Sequence, residues 1–266
     1  MHLKSSPLFL LFVLSLSCAS GSAARRESDP PQKKSAPAGD LETEGRVLAL
    51  DARTPAEPDL EARLVGARGV VQAEMQQVVG RSARKLARGK PEGLLGNLVT
   101  DVMRKHAQEM TGEPVHLAWS NLGGLRADLP AGELTVGAVL EVMPFDNAIV
   151  VFELKGVDVQ GVLDRSASHG GDPVSGARYR VVNRKAVDVQ IDGAPLDPER
   201  VYRLCTNDYI VDGGGNYEAV SRAKKVNRTG ILIRDAMLHF IQQESKAGRE
   251  VDARIEGRVI VVGGPS

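Results

Sequence analysis

Three short segments of this 266-residue chain hold side chains that could grip a small ligand. The first, Ser120-Asn121-Leu122-Gly123-Gly124-Leu125-Arg126, follows the apolar run Val115-His116-Leu117-Ala118-Trp119. Adjacent glycines after a strand let the backbone approach a ligand closely, although the pair also fits a plain turn. Asn121 offers an amide with donors and acceptors, and Arg126 a planar fork that suits phosphate or ribose oxygens. Arg126 equally fits a surface ion pair, which would contribute little. The second segment, Val142-Met143-Pro144-Phe145-Asp146-Asn147, sets Phe145 in a turn behind a proline. The third, Thr206-Asn207-Asp208-Tyr209-Ile210-Val211-Asp212-Gly213-Gly214-Gly215-Asn216-Tyr217, sets Tyr209 at a strand end before three glycines. Both aromatics also fit ordinary packing roles.

Other chemistries find less support. The five histidines, His2, His106, His116, His169 and His239, are scattered singly, and lone histidines are more often surface or core residues than ligands. Cys205 lies in the alternating run Val201–Cys205 with no histidine near it in sequence, so a buried, inert thiol is expected. The 34 basic and 34 acidic residues cancel, which gives no support to nucleic-acid binding but leaves room for a local basic pocket. With 26% charged and 42% hydrophobic residues the composition is that of a globular protein.

The elements that must carry these segments follow from periodicity. Lys4 followed by the apolar run Leu8–Leu14 reads as an export signal, too short to span a membrane. It ends in Ser15-Leu16-Ser17-Cys18-Ala19-Ser20, which resembles a bacterial lipobox with Cys18 as the lipidated residue, apart from Ser15 where leucine is usual. Ordinary cleavage in the small residues up to Ala24 is the alternative, and residues 1–24 are expected to hold the signal. Residues 19–54, rich in Ser, Ala, Pro, Lys and Arg, read as a disordered tether. The folded domain is expected over residues 55–266.

Within it a helix is predicted from Thr54-Pro55-Ala56-Glu57 to about Gln77, with Leu60, Leu64, Val71, Met75 and Val78 roughly on one face. Further helices are predicted from Leu94 to about Met110, just after Thr135, from Val157 to about Ser166, and from Thr229 to about Ser245. Strands are predicted at 115–119, 148–154, 178–182, 187–191, 201–205 and 258–262. Helices and strands mix without strict alternation, which indicates the α+β class, or a layered α/β/β/α sandwich.

The three segments, together with Leu95-Gly96-Asn97-Leu98-Val99-Thr100-Asp101, closely resemble in order and spacing the C-terminal, substrate-binding domain of the 5′-nucleotidase and UDP-sugar hydrolase family. The likeness runs from about Val70 to Val262 and implies that family's α/β/β/α sandwich. It further implies that Asn121, Arg126, Phe145 and Tyr209 bind nucleoside monophosphates or related nucleotides, with the two aromatics clamping the base. Base–aromatic stacking tolerates base identity. Two family positions differ. An aspartate that binds ribose hydroxyls is replaced by Gly215, leaving Asp212 or Asn216 as substitutes. An arginine before Leu95 is replaced by Gly89, with Arg88 and Lys90 beside it.

In that family the chemistry belongs to a separate two-metal metallophosphoesterase domain, whose His, Asp and Asn signatures have no counterpart here. The resemblance therefore implies a hydrolase partner domain but no catalytic residues, metal ligands or cofactor in this chain, the divalent metals lying on the partner. Two readings stay open: the nucleotide-binding half of a 5′-nucleotidase working with a separate exported metallophosphoesterase, or a non-catalytic nucleotide- or nucleoside-binding lipoprotein. Both place it in the periplasm or cell envelope, touching membrane only through a lipid anchor. Cells fed radiolabelled palmitate should label the wild-type protein and not Cys18→Ser; label on neither would leave a secreted protein cut near Ala24.

Overall fold

Strict alternation along three strands divides the interior in two. The computed structural model describes residues 54–55 and 58–263, so the expected signal, Cys18 and the tether lie outside the described residues. The described elements belong to the unit Ala56–Ser266. In chain order it contains α1 (Pro58–Met75), β1 (Val78–Ser82), α2 (Leu94–Thr111), β2 (Leu117–Trp119), β3 (Gly132–Thr135), α3 (Val136–Val142) and β4 (Ala148–Lys155). There follow α4 (Gly156–Ala167), β5 (Val174–Ser175), β6 (Ala177–Val182), β7 (Lys185–Ile191), β8 (Ala194–Pro195) and β9 (Val201–Asn207). The last elements are α5 (Asp208–Val211), β10 (Lys224–Leu232), α6 (Ile233–Lys246) and β11 (Val259–Val261).

The main sheet has the order β10-β4-β9-β2-β5, and a second sheet has the order β11-β6-β7-β8. Side chains on successive strand residues point to opposite faces. Ala118, Ile149, Val151 and Cys205 therefore face one cluster, built with Leu95, Leu98, Val102 and Met103 of α2 and Met237 and Ile241 of α6. Leu117, Trp119, Val150, Phe152, Leu154 and Leu204 face the other. There α4 supplies Val159, Val162 and Leu163, and the second sheet Tyr179, Val181 and Ile191. Helices on one face of the main sheet, with a helix and a second sheet on the other, make a layered α+β fold, as the mixed pattern predicts.

Most predicted elements form close to their expected limits. Thr135 caps α3 by accepting from the Ala138 amide at 3.1 Å, and α2 ends where Gly112 turns left-handed at φ 67°. Two expectations need correction. The helix expected from Thr229 starts only at Ile233. Lys224–Leu232 instead pair with β4 as an edge strand, and Gly230, at φ 71°, is incompatible with a helix there. The helix α1 forms, but none of its residues is buried, so the expected apolar face of Leu60, Leu64 and Val71 stays exposed. Val78 belongs to β1, which pairs with β3, a hairpin-like contact between strands too short and distant to be read from pattern.

Candidate functional site

Strand register converges the ligand-facing segments. In the β4–β9 pair Ile149 lies opposite Asn207, so the turn before β4 and the helix after β9 emerge at the same end. In the parallel β2–β9 pair Ala118 lies opposite Cys205, which brings the loop after β2 to that end as well. The result is a cleft of about 300 Å³ lined by Asn121, Gly123, Gly124, Phe145, Asn147 and Tyr209. Phe145 and Tyr209 are 47% and 51% exposed, well above what a packing role would leave. Both belong to the cleft rather than the core.

Local geometry holds each group. Asn207, fully buried, caps α5 by accepting from the Ile210 amide at 2.9 Å. Its side-chain amide donates to Asn121 Oδ1 at 3.0 Å and to Ser120 Oγ at 3.2 Å. That bond uses the Asn121 acceptor and leaves its own NH₂ as a donor in the cleft. The Tyr209 ring lies flush on the glycine loop: a Cβ at Gly214 would stand 2.5 Å from ring carbons Cδ1 and Cζ. Gly214 is thus required by close approach, whereas Gly123 and Gly124 have room for a methyl group and serve to keep the cleft wall open.

Among the described residues Arg126 has no carboxylate partner. Its guanidinium carbon sits 6.0 Å from the Phe145 ring centroid, and Nη1 donates to the Gly123 carbonyl at 3.3 Å. A cation so placed favours the ring orientation and keeps a charged fork at the rim. Arg88 lies behind the same loop, donating from Nη1 to the Leu125 carbonyl at 3.0 Å and from its backbone amide to Asp128 at 2.9 Å. Asp212 is not among the residues lining the cleft; its carboxylate is held by Arg228 of β10 and its pKa lowered by that hydrogen bond. The structure therefore brings together Asn121, Arg126, Phe145 and Tyr209, places Arg88 as a support, and leaves Asp212 engaged elsewhere. Asn147 and Asn207 complete the site without having been singled out in sequence. Both stand inside the quoted motifs, and an amide two residues from the aromatic was the available signal.

Elsewhere, a polar cleft of about 240 Å³ contains Arg104 and Arg258, but its own carboxylates Asp192, Asp101 and Glu256 engage them. Cys205 is fully buried and its thiol is pushed up to about 12 by burial, the inert state expected of it. Among the described residues no three His, Cys, Asp or Glu side chains converge, so they do not fit a metal centre.

Comparison with known proteins agrees with this fold. The model of the 5′-nucleotidase C-terminal domain matches residues 71–222. The chain belongs to this family. A trifunctional nucleotide phosphoesterase protein, YfkN, of Bacillus subtilis is 28% identical over 80% of this chain and 16% of its own length. The cell wall protein Lmo0130 of Listeria monocytogenes is 28% identical over 64% of this chain and 24% of its own. A crystal structure of a 5′-nucleotidase precursor from Thermus thermophilus superposes with a TM-score of 0.68 and 31% identity, covering 79% of this chain and 44% of that one. The chain spans less than half the length of each of these relatives.

Asp128 offers a direct test of how the Arg88 support is built. The Arg88 amide and the Lys85 ammonium hold its carboxyl down at about 2. Because the folded value lies below that of the unfolded chain, the stabilisation is complete above about pH 4–5 and is lost as pH falls through 2. Asp128→Asn should lower stability by about 1 kcal/mol at neutral pH, discounted for partial exposure. Urea unfolding at stepped pH should show the gap to wild type narrowing below pH 4; a constant gap would mean the charge is not the cause.

Proposed function

We propose that this domain is the nucleotide-binding part of a 5′-nucleotidase-type phosphoester hydrolase, acting in extracytoplasmic nucleotide catabolism with a separate metallophosphoesterase. The observation that carries the reading is the pair of exposed rings, Phe145 and Tyr209, lining one cleft with the amides of Asn121 and Asn147. Two aromatic rings and two amides lining one cleft suit a planar heterocycle that both stacks and hydrogen-bonds. The Arg126 fork at the rim suits an anionic group attached to it. Among the described residues no carboxylate lines the cleft, so the reading rests on its rings, its amides and the rim arginine.

Among the described residues the cleft offers an arginine for phosphate charge but no metal-ligand set to activate water, which phosphoryl transfer to water requires. Support for a partner that supplies one comes from the relatives, whose chains extend well beyond this domain. The apolar N-terminal run and the cell wall relative support an envelope location. A non-catalytic nucleotide- or nucleoside-binding lipoprotein is the second reading, since the same cleft would serve it without a partner.

Calorimetric titration with adenosine monophosphate tests the clamp. Each stacked ring contributes roughly 1–3 kcal/mol, so replacing both Phe145 and Tyr209 by alanine should weaken binding at least about 30-fold. Arg126→Lys should also weaken it, because the fork is lost while the charge is kept. Unchanged affinity in the double variant would end the clamp reading. Phosphate release should be nil for the protein alone with manganese, zinc, cobalt or calcium, and should appear when an exported metallophosphoesterase is added. Chelator-sensitive turnover by the protein alone would refute the division of labour, and silence with every such partner would favour the binding protein.

A further inference from the structure

Behind the cleft, one buried carboxylate touches both ligand-facing loops. Asp172, 3% exposed, lies in the Gly170-Gly171-Asp172-Pro173 turn between α4 and β5. Its Oδ1 accepts from the backbone amide of Leu122, the residue after Asn121, at 3.2 Å. Its Oδ2 accepts from the hydroxyl of Tyr217, which closes the glycine loop beneath Tyr209, and from His169 Nε2 at 2.6 Å. The tautomer follows from the neighbouring arginine: Arg165 Nη1 is a donor 3.2 Å from His169 Nδ1, so Nδ1 accepts and Nε2 carries the hydrogen. Arg165 also donates from Nε to the Gly215 carbonyl at 2.8 Å and lies 6.0 Å from the Tyr217 ring centroid. Behind them Ser166 Oγ accepts from the Asp172 amide at 2.7 Å and contacts the Tyr179 hydroxyl at 2.8 Å.

A carboxylate this buried is tolerated only when donors surround it, and here its donors come from three separate segments. Satisfying the charge therefore fixes the separation of the Asn121 loop from the glycine loop. We propose that Asp172 is a positioning residue that locks these two loops into one unit, so that the Asn121 amide and the Tyr209 ring stand preset for the ligand. This rests on the nucleotide-binding reading for its ligand but not for the coupling itself. A clamp fixed before binding spares the cost of ordering loops in the complex.

The variant that breaks one link without disturbing shape is Tyr217→Phe, which keeps the ring against Trp119 and removes only the hydroxyl. In the full-length protein, hydrogen exchange should quicken both at 208–217 and across the carboxylate at 121–125, with no ligand present. Affinity for adenosine monophosphate should fall about tenfold, the usual scale for one lost bond to a charged group. Tyr179→Phe is the control: it removes an equally buried hydroxyl from the same network but contacts neither loop. It should lower the thermal midpoint while leaving both loop exchange and affinity within twofold of wild type. Faster exchange confined to 213–217 in Tyr217→Phe, or the same loop response in Tyr179→Phe, would overturn the proposal. Absence of nucleotide binding by the wild type would overturn only the nucleotide reading, since the exchange comparison decides the coupling by itself.

Discussion

The pairing of β9 with β2 on one side and β4 on the other is the constraint on which the rest depends. Register in a sheet is all or nothing, because a slip of one residue would turn every side chain to the opposite face. Here both faces are buried against different clusters, so Leu204 and Cys205 cannot exchange places without exposing apolar surface and stranding the core on each side. Fixed register in turn fixes which residues emerge at the strand ends. Asn121, Phe145 and Tyr209 come from three parts of the chain, and they meet because Ala118, Ile149 and Asn207 are locked in adjacent strands.

Buried polar groups then refine what the strands bring together. Asn207 at the end of β9 and Asp172 in the turn before β5 are both almost wholly excluded from water and both bonded to the Ser120–Leu122 segment. Each has an obligation to be satisfied, and each satisfies it with groups from the cleft loops. The charged pairs at the surface behave differently. Arg228 with Asp212, and Arg84 with Asp252, are open to solvent and contribute little to rigidity.

Membership of the 5′-nucleotidase C-terminal domain family accounts for the fold and for the order of the motifs. The departures at Gly215 and Gly89 acquire a physical meaning in the structure. Gly215, at φ 71°, sits against the Tyr217 ring, where a Cβ would come within 3.0 Å, so the loop is shaped for the Tyr217–Asp172 contact rather than for an acidic side chain. Arg88 binds Leu125 and Asp128, and so acts from behind the loop and not from within the cleft.

Much of this was legible in the residues alone. The α+β mixture, the helices at Leu94 and Val157, the strands ending at Trp119 and Cys205 and the inert Cys205 follow from local periodicity, turn residues and composition, all of which act over a few residues. The motifs that carry the cleft could be quoted because ligand-binding loops need particular side chains at particular spacings. The end of β10, from Thr229 to Leu232, was misread as the start of a helix and its beginning as no element, because Lys224–Leu232 has no alternating burial, its stability coming from β4 and not from its own pattern. The exposure of α1 was equally hidden, since apolar spacing shows a face but not whether anything covers it. What only the tertiary structure decided were the bonds between distant residues: Asn207 to Asn121, Arg228 to Asp212, and Asp172 to Leu122 and Tyr217. Such contacts depend on register and on the exclusion of water, and neither is a property of any one stretch of sequence.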